Sequence, residues 1–230
     1  MTFGRACSTL YHMPLSRSTR PLWLYRELER AYKGSEELPK LQVHAFDRAT
    51  FRTQKPDWYL KLNPNGKAPC LVSACGELVL WESAAICLHL LETHDPRRLL
   101  SPRDEAARAQ LWQLAFYCAG TVDNLTATSS PVQRALPGPA QWDEEERRRA
   151  WQEVCAPTLL EILRRGGGSY AAGEGFGAAD VFPGLCCFWL QEKKGWLADS
   201  PALLEYYREF IEPRPAFQEA VGGTGSGLQF

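Results

Sequence analysis

The 230-residue sequence has no excess of charge of either sign, no long apolar run and no CxxC pair. Its 26 lysines and arginines nearly cancel its 27 aspartates and glutamates, whereas nucleic acids and anionic membranes usually select a basic excess. The N-terminus, MTFGRACSTLYHMPLS, lacks the apolar run of a signal peptide, and no later segment approaches the roughly 20 apolar residues of a membrane span. We therefore expect a cytoplasmic protein whose partners are small molecules or proteins, with neither nucleic acid nor a membrane as a partner.

The eight cysteines are consistent with a reducing compartment, because most of them lie in apolar runs where a thiol behaves as a small hydrophobic group. The spacing of Cys70 and Cys75 is the one arrangement that suggests a metal site. No histidine or further cysteine completes a tetrahedral ligand set around that pair. The sequence therefore predicts no metal.

The first 93 residues alternate strand and helix signals. An apolar-polar alternation predicts strands, and a 3.6-residue apolar period predicts helices. After an irregular stretch, two short strands separated by SACGE form a predicted hairpin. The predicted order is a strand at Ser8–Tyr11, a helix at Pro21–Tyr32, a strand at Leu41–Phe46, strands at Pro69–Val72 and Leu78–Leu80, and a helix from Ser83 to about Leu91. A parallel crossover combined with an antiparallel hairpin on one small mixed sheet is typical of a thioredoxin-like α/β domain.

The rest of the chain has helix signals only. Ser101 at an N-cap, Pro102 at the first helical position and Asp104 at the third predict a helix start. The residues from Thr121 to Gln141, rich in proline, serine, threonine and glycine, predict a long interhelical loop. We expect a thioredoxin-like domain over 1–93, a linker over 94–103 and an all-α domain over 104–230.

Four segments, in the same order, resemble the soluble glutathione transferases. They are KPDWYLKLNPNGKAPCLV and GELVLWESAAICLHLLE, which are similar to the glutathione-binding segment of the omega-like and theta-like branches, then YAAGEGFGAADVF, then RPAF at 214–217. The resemblance implies a thioredoxin-like domain followed by an all-α domain, glutathione as co-substrate, a small hydrophobic electrophile, a role in detoxification and a homodimer.

The resemblance also implies a glutathione site. Pro69 would follow a cis peptide bond, so that the backbone of Ala68 pairs with the extended tripeptide. Ser83, at a helix start, would hold the γ-glutamyl carboxylate, and Lys55 would hold the glycyl carboxylate. Simpler interpretations are a strand-starting trans proline, an N-cap serine and a solvated lysine. The complete implied set is Arg17, Lys55, Lys67, Ala68, Pro69, Glu82 and Ser83.

Catalysis by this family requires the glutathione thiolate, and a free cysteine thiol has a pKa of about 8.5. A hydroxyl that donates a hydrogen bond to the sulfur at a helix N-terminus favours the ionised form. Ser16 occupies the place where serine-type members carry that hydroxyl, and Ser18 is the alternative. Helix capping is the structural interpretation of both serines. Tyr11 is the alternative found in tyrosine-type members, but it lies too early, before the turn. The turn contains no cysteine, so we expect thiolate attack and not disulfide reduction.

The electrophile is not specified by the sequence. The resemblance points to apolar residues in the turn and the helical domain, although aromatic residues at helical spacing are also typical of a core: Met13, Leu15, Trp112, Phe116 and Tyr117. The functions that compete with conjugation are glutathione-dependent isomerisation, dehalogenation and ether cleavage, and a non-catalytic ligand carrier or protein-interaction module.

The segment GFGAAD matches a helix start in which the family usually has serine or threonine at the position of Gly177. A glycine N-cap lacks the capping oxygen, at a cost of a few tenths of a kcal/mol relative to serine. Asp180 still accepts a hydrogen bond from the backbone in the manner of a capping box. We assign both residues to structure.

Overall fold

The structure, a computed structural model, describes residues 7–126 and 141–222. These residues fall into two compact units. The first comprises residues 7–100 together with 215–222, and the second comprises residues 101–126 and 141–214.

The first unit contains a four-stranded mixed sheet with strand order β2-β1-β3-β4. Strand β1 pairs in parallel with β2 and antiparallel with β3, which pairs antiparallel with β4. The strands are β1 Ser8–His12, β2 Leu41–Ala45, β3 Cys70–Val72 and β4 Val79–Trp81. The predicted thioredoxin-like topology is confirmed.

Within residues 7–100, four helices accompany the sheet: α1 Thr19–Ala31, α2 Arg48–Thr53, α3 Asp57–Leu62 and α4 Ser83–His94. Helices α2 and α3 lie where the sequence predicts an irregular stretch, so that prediction is wrong. Each has only six residues, too few to show a 3.6-residue apolar period. The available sequence signal for α2 was Asp47, a residue type favoured at N-caps. In the structure its carboxylate accepts a hydrogen bond from the Thr50 N–H at 2.8 Å.

A C-terminal helix, Pro215–Val221, belongs to the first unit. Its Phe217 ring contacts the buried Trp23 of α1, with ring centroids 4.9 Å apart and a T-shaped geometry. Its Glu219 forms a bidentate ion pair with Arg30 of α1. The expected helical domain extends to residue 230. This helix instead packs on α1, where Phe217 covers the apolar surface of Trp23.

The second unit is all-α where it is described, as expected. Its α-helices are α5 Glu105–Tyr117, α6 Asp123–Thr126, α7 Glu144–Ala150, α8 Ala156–Arg165, α9 Val181–Lys194 and α10 Pro201–Tyr206. Shorter helical turns adjoin these helices. They are π-helical at Cys118–Val122, Trp151–Cys155 and Tyr207–Ile211 and 3₁₀ at Ala178–Asp180 and Trp196–Asp199.

Two details of the second unit correct the predictions. The N-cap of α5 is Asp104 and not Ser101, because the Asp104 carboxylate accepts the Ala107 N–H at 2.8 Å. The predicted loop from Thr121 to Gln141 begins inside helical structure, and its central part, 127–140, lies outside the described residues.

A buried carboxylate organises the start of α9. Asp180 accepts hydrogen bonds from the Gly177 N–H at 2.9 Å, the Ala171 N–H at 2.7 Å and the Tyr206 hydroxyl at 2.8 Å. Its side chain is fully buried, and burial raises the pKa of the carboxyl. These contacts agree with the structural role expected for Asp180 and the Gly177 N-cap.

Within the described ranges, no helix combines the length and apolar character needed to cross a bilayer.

Candidate functional site

The candidate site lies at one edge of the sheet. Because β1 and β3 are antiparallel, the end of β1 and the start of β3 share an edge, and Tyr11 is directly opposite Cys70. Because β3 and β4 are also antiparallel, β4 ends at this edge, with Trp81 opposite Cys70. The turn 13–18, the dipeptide 68–69 and the dipeptide 82–83 are all adjacent to these strand ends. The topology therefore brings together three of the predicted segments.

The Ala68–Pro69 peptide bond is cis, as the resemblance implies. The Ala68 N–H and C=O groups make no hydrogen bond with any other residue in the described part of the chain. The preceding carbonyl, that of Lys67, accepts hydrogen bonds from the Tyr59 hydroxyl at 2.7 Å and the Asn63 side-chain amide at 2.6 Å. Tyr59 and Asn63 are both buried and hold this loop, and the sequence analysis missed both.

Ser83 is the first residue of α4 and does not cap it, because the N-cap position belongs to Glu82. The Ser83 hydroxyl accepts a hydrogen bond from the buried guanidinium of Arg20 at 3.1 Å. A guanidinium only donates, so Ser83 keeps its own hydrogen for an acceptor such as a carboxylate. Glu82 has a φ of 68°, and a non-glycine residue in this region costs about 1–3 kcal/mol. Arg20 was missed because the first turns of α1 are buried on all sides, and the sequence pattern does not predict a buried arginine there.

Lys55 is half-buried, with its ammonium group 5.6 Å from the centroid of the Phe51 ring. Gly66 leaves room for its side chain, since a Cβ atom on Gly66 would lie 2.7 Å from Lys55 Cδ. Gly66 also has a φ of 59°, which favours glycine. Arg17, the other predicted cation near the turn, is half-buried.

The two candidate serines differ in exposure. Ser18 is fully buried, and its hydroxyl lies 2.8 Å from His12 Nδ1 and accepts the Met13 N–H at 3.0 Å. Ser16 is partly exposed, and its Oγ accepts the Ser18 N–H at 3.1 Å and lies 2.8 Å from Ser18 Oγ. Ser18 occupies the N-cap position of α1, yet its side chain makes no capping hydrogen bond. Of the two hydroxyls, only that of Ser16 is accessible to a ligand.

The turn that carries Ser16 is held by an arginine that the sequence analysis missed. Leu15 has a φ of 53°, a left-handed conformation that costs a non-glycine residue about 1–2 kcal/mol. Arg48 Nη1 donates to the Leu15 carbonyl at 2.7 Å and to the Pro14 carbonyl at 3.3 Å. Arg48 is three residues beyond β2, which ends at the same sheet edge as β1 because the two strands are parallel. This position explains how one side chain reaches two carbonyls of the turn.

Replacing Arg48 with methionine is expected to loosen this turn. Loss of one charge-assisted hydrogen bond, at about 1.5 kcal/mol, corresponds to roughly tenfold faster amide hydrogen exchange in a peptide covering residues 13–18. The matched control is Arg52→Met, on the exposed side of the same helix. Equal exchange rates in both variants would show that Arg48 does not hold the turn.

His12 and His94 are both 4% exposed, and burial lowers the pKa of each from 6.5 to about 4. A histidine whose folded pKa is depressed stabilises the fold above its unfolded pKa, and this contribution is lost as the pH falls from about 6.5 toward 4. Both rings are therefore neutral at pH 7.

We expect the free energy of unfolding to fall by about 2 kcal/mol per buried histidine between pH 7 and pH 5, because the unfolded chain takes up protons that the folded chain excludes. Urea denaturation at both pH values measures this loss. His94→Gln should reduce the pH dependence by about half, since it removes one of the two groups. An unchanged slope in that variant would contradict the assignment.

The cysteines do not form the metal pair that the spacing of Cys70 and Cys75 suggests. Cys70 is buried, which raises the pKa of its thiol to about 11, whereas Cys75 is exposed. Among the residues that the structure describes, no group of three or more histidine, cysteine, aspartate or glutamate side chains is arranged to hold a metal ion.

The predicted electrophile residues have different surroundings in each unit. Met13 packs against the core cluster that contains Phe46 and Tyr59. Trp112 and Phe116, one turn apart on α5, are 54% and 66% exposed, so neither is a core residue. The Tyr117 hydroxyl donates to the Cys155 carbonyl at 3.4 Å, and burial raises its pKa.

Comparison with known sequences shows which family the chain belongs to. The family model described as "Glutathione S-transferase, N-terminal domain" matches residues 10–98. Glutathione S-transferase 3 of Schizosaccharomyces pombe is 31% identical to the chain over 222 residues, which cover 92% of this chain and 86% of the relative. The chain belongs to the glutathione S-transferase family. The family resemblance predicted from its four sequence segments is confirmed at this level.

The chain is also similar to other glutathione transferases. Glutathione S-transferase D6 of Drosophila melanogaster is 28% identical over 173 residues, which cover 75% of this chain and 72% of that protein. A glutathione transferase homologue from Sulfitobacter, solved with bound glutathione, is 26% identical. It superposes with a TM-score of 0.70 and covers 93% of this chain and 96% of its own.

Proposed function

We propose that this glutathione S-transferase family member is an active transferase, in which Ser16 stabilises the thiolate of bound glutathione. The observation that carries this proposal is the partly exposed Ser16 hydroxyl in the turn that follows β1, at the sheet edge where β3 begins and β4 ends. The serine-type assignment rests on this hydroxyl. The sulfur is held as an anion because Ser16 donates to it, and Ser16 itself stays protonated.

The remaining residues support a site for an extended tripeptide that carries two carboxylates. The unpaired backbone of Ala68 suits strand-like pairing with the peptide. Ser83 retains a hydrogen for the γ-glutamyl carboxylate, next to the Arg20 guanidinium and the amides at the start of α4. Lys55 pairs with the glycyl carboxylate in this proposal. Arg17 and Lys67 add positive charge, and Glu82 and Pro69 shape the backbone.

The proposed reaction is attack by the glutathione sulfur on an electrophilic carbon. The thiol proton is released to solvent, a sulfur–carbon bond forms and the leaving group departs with its electron pair. Trp112 and Phe116 remain candidate contacts for an apolar electrophile because they are exposed. Detoxification, a cytoplasmic location and a homodimer are proposed from family membership. Light scattering of the purified protein tests the homodimer.

The test of the proposed function is a pH titration of glutathione bound to the purified protein, followed by the ultraviolet absorbance of the thiolate. We expect the thiol pKa of the bound tripeptide to lie well below its value in free solution. Calorimetry measures the affinity separately. Binding without a lowered thiol pKa would favour a non-catalytic carrier, and absence of binding would reject the tripeptide site.

A further inference from the structure

The hydroxyl of Ser18 has more polar neighbours than it can satisfy with one hydrogen and two lone pairs. Its Oγ lies 3.0 Å from the Met13 nitrogen, 2.9 Å from the Met13 oxygen, 2.8 Å from His12 Nδ1 and 2.8 Å from Ser16 Oγ. The Met13 N–H can only donate and therefore occupies one lone pair. One lone pair and one hydrogen remain for the other neighbours.

The tautomer of His12 decides how that remainder is used. If Nδ1 carries the ring hydrogen, it donates into the second lone pair of Ser18, and the Ser18 hydrogen can go to Ser16 Oγ or to the Met13 carbonyl, 2.9 Å away. It is available to Ser16 when the Met13 carbonyl takes its hydrogen from Ser16, 2.8 Å away. If Nδ1 is bare, it draws the Ser18 hydrogen to itself, and Ser16 loses that donor. Because burial keeps the imidazole neutral, with a pKa of about 4, the ring carries one hydrogen that must be on one nitrogen or the other.

We infer that His12 is a positioning residue for the proposed transferase reaction: its Nδ1–H donates to Ser18, and Ser18 in turn donates to Ser16. This inference rests on the proposed function. Both lone pairs of Ser16 are then filled from the protein, by the N–H and the O–H of Ser18. The single Ser16 hydrogen is left for the Met13 carbonyl, 2.8 Å away, or for a thiolate.

The series of hydrogen bonds from His12 through Ser18 to Ser16 has a direction, and this direction affects how strongly Ser16 donates. A hydroxyl that accepts hydrogen bonds becomes a stronger donor, because consecutive bonds polarise one another. With His12 as donor, the polarisation runs from the buried ring toward the sulfur. With His12 as acceptor, it runs the other way, and Ser16 is drawn to donate into Ser18.

The first test requires no variant to be active. The chain has four histidines, so nitrogen-15 spectra of protein labelled at histidine are simple, and loss of one ring in His12→Asn identifies the His12 signals. We expect the spectrum of the wild-type protein at pH 7.5 to show the hydrogen on Nδ1 of His12, with and without glutathione. A hydrogen on Nε2 would overturn the inference.

The second test measures the ionisation of glutathione bound to two His12 variants. His12→Leu removes the donor, whereas His12→Asn can place an amide N–H near the position of Nδ1. We expect His12→Leu to lower the ionisation constant of the bound thiol by a factor between about 2 and 10, the range for loss of one neutral hydrogen bond. His12→Asn should recover most of it. The affinity for glutathione should change little.

The control is His94→Leu, since His94 is as deeply buried as His12. It should leave the ionisation of the bound thiol unchanged. Equal losses in His12→Leu and His12→Asn would show that the ring acts by packing alone and would overturn the inference. A wild-type protein that fails to ionise bound glutathione would reject the transferase function itself, whereas a wild type that ionises it and a silent His12→Leu would reject only the role of His12.

Discussion

Ser16→Ala is expected to raise the pKa of bound glutathione by about one to two units, because a hydrogen bond to a charged acceptor contributes about 1.5–3 kcal/mol. The fraction of thiolate at neutral pH, and with it the rate of conjugation at subsaturating electrophile, should fall by about 10- to 100-fold. The measurement is the thiolate absorbance against pH, together with the conjugation rate on a general aromatic electrophile. The affinity for the tripeptide should change much less, since Ser16 does not contact its proposed carboxylate sites.

Ser35 provides the control for this result, and Ser18 has a separate expected effect on stability. Ser35 is also partly exposed, and its hydroxyl accepts the Glu37 N–H at 3.2 Å, so Ser35→Ala should leave the thiol pKa unchanged. Ser18→Ala leaves the Met13 N–H without its acceptor and should lower the free energy of unfolding by about 1–3 kcal/mol. If Ser16→Ala ionises bound glutathione as the wild type does, another group is the donor.

The second large effect is on stability. Asp180→Asn keeps one carbonyl oxygen for Ala171 and Tyr206 but turns a buried amide NH₂ toward the partly buried Gly177 N–H, so two donors face each other. We expect the free energy of unfolding to fall by about 2–4 kcal/mol, measured by urea denaturation at pH 7.5.

Asp104→Asn is the matched control, because Asp104 is an exposed N-cap with a carboxylate acceptor and asparagine caps a helix about as well as aspartate. Its free energy of unfolding should stay within about 0.5 kcal/mol of the wild type. A similar small change in Asp180→Asn would show that the Gly177 contact contributes little to the fold.

The sequence was sufficient for β1, β2 and α1, because their apolar patterns are long enough to have a period, and for β3 and β4, because the short SACGE connection predicts a hairpin. It was insufficient for α2 and α3, which have one and a half turns each and are fixed by Asp47 and by packing around Phe51 and Tyr59. The choice of Asp104 over Ser101 as N-cap depends on side-chain geometry that spacing alone does not determine.

The residues of the candidate site also differ in how far the sequence predicts them. The residues proposed to face the ligand, such as Ser16 and Ser83, could be proposed from the sequence because a family resemblance covers them. The residues behind them were not identified. Arg20, Arg48 and His12 act through hydrogen bonds to a hydroxyl or a carbonyl that lies far away in sequence or belongs to a turn, and no periodicity or spacing marks such contacts.

The packing of Pro215–Val221 on α1 makes the first unit discontinuous in sequence. During synthesis the ribosome produces all of residues 101–214 before the segment that covers Trp23, so the N-terminal unit is finished last although it is begun first. A fragment ending at residue 100 would leave the Trp23 surface open to water and to aggregation. Exchanging one unit between proteins therefore requires two junctions in the chain and not one.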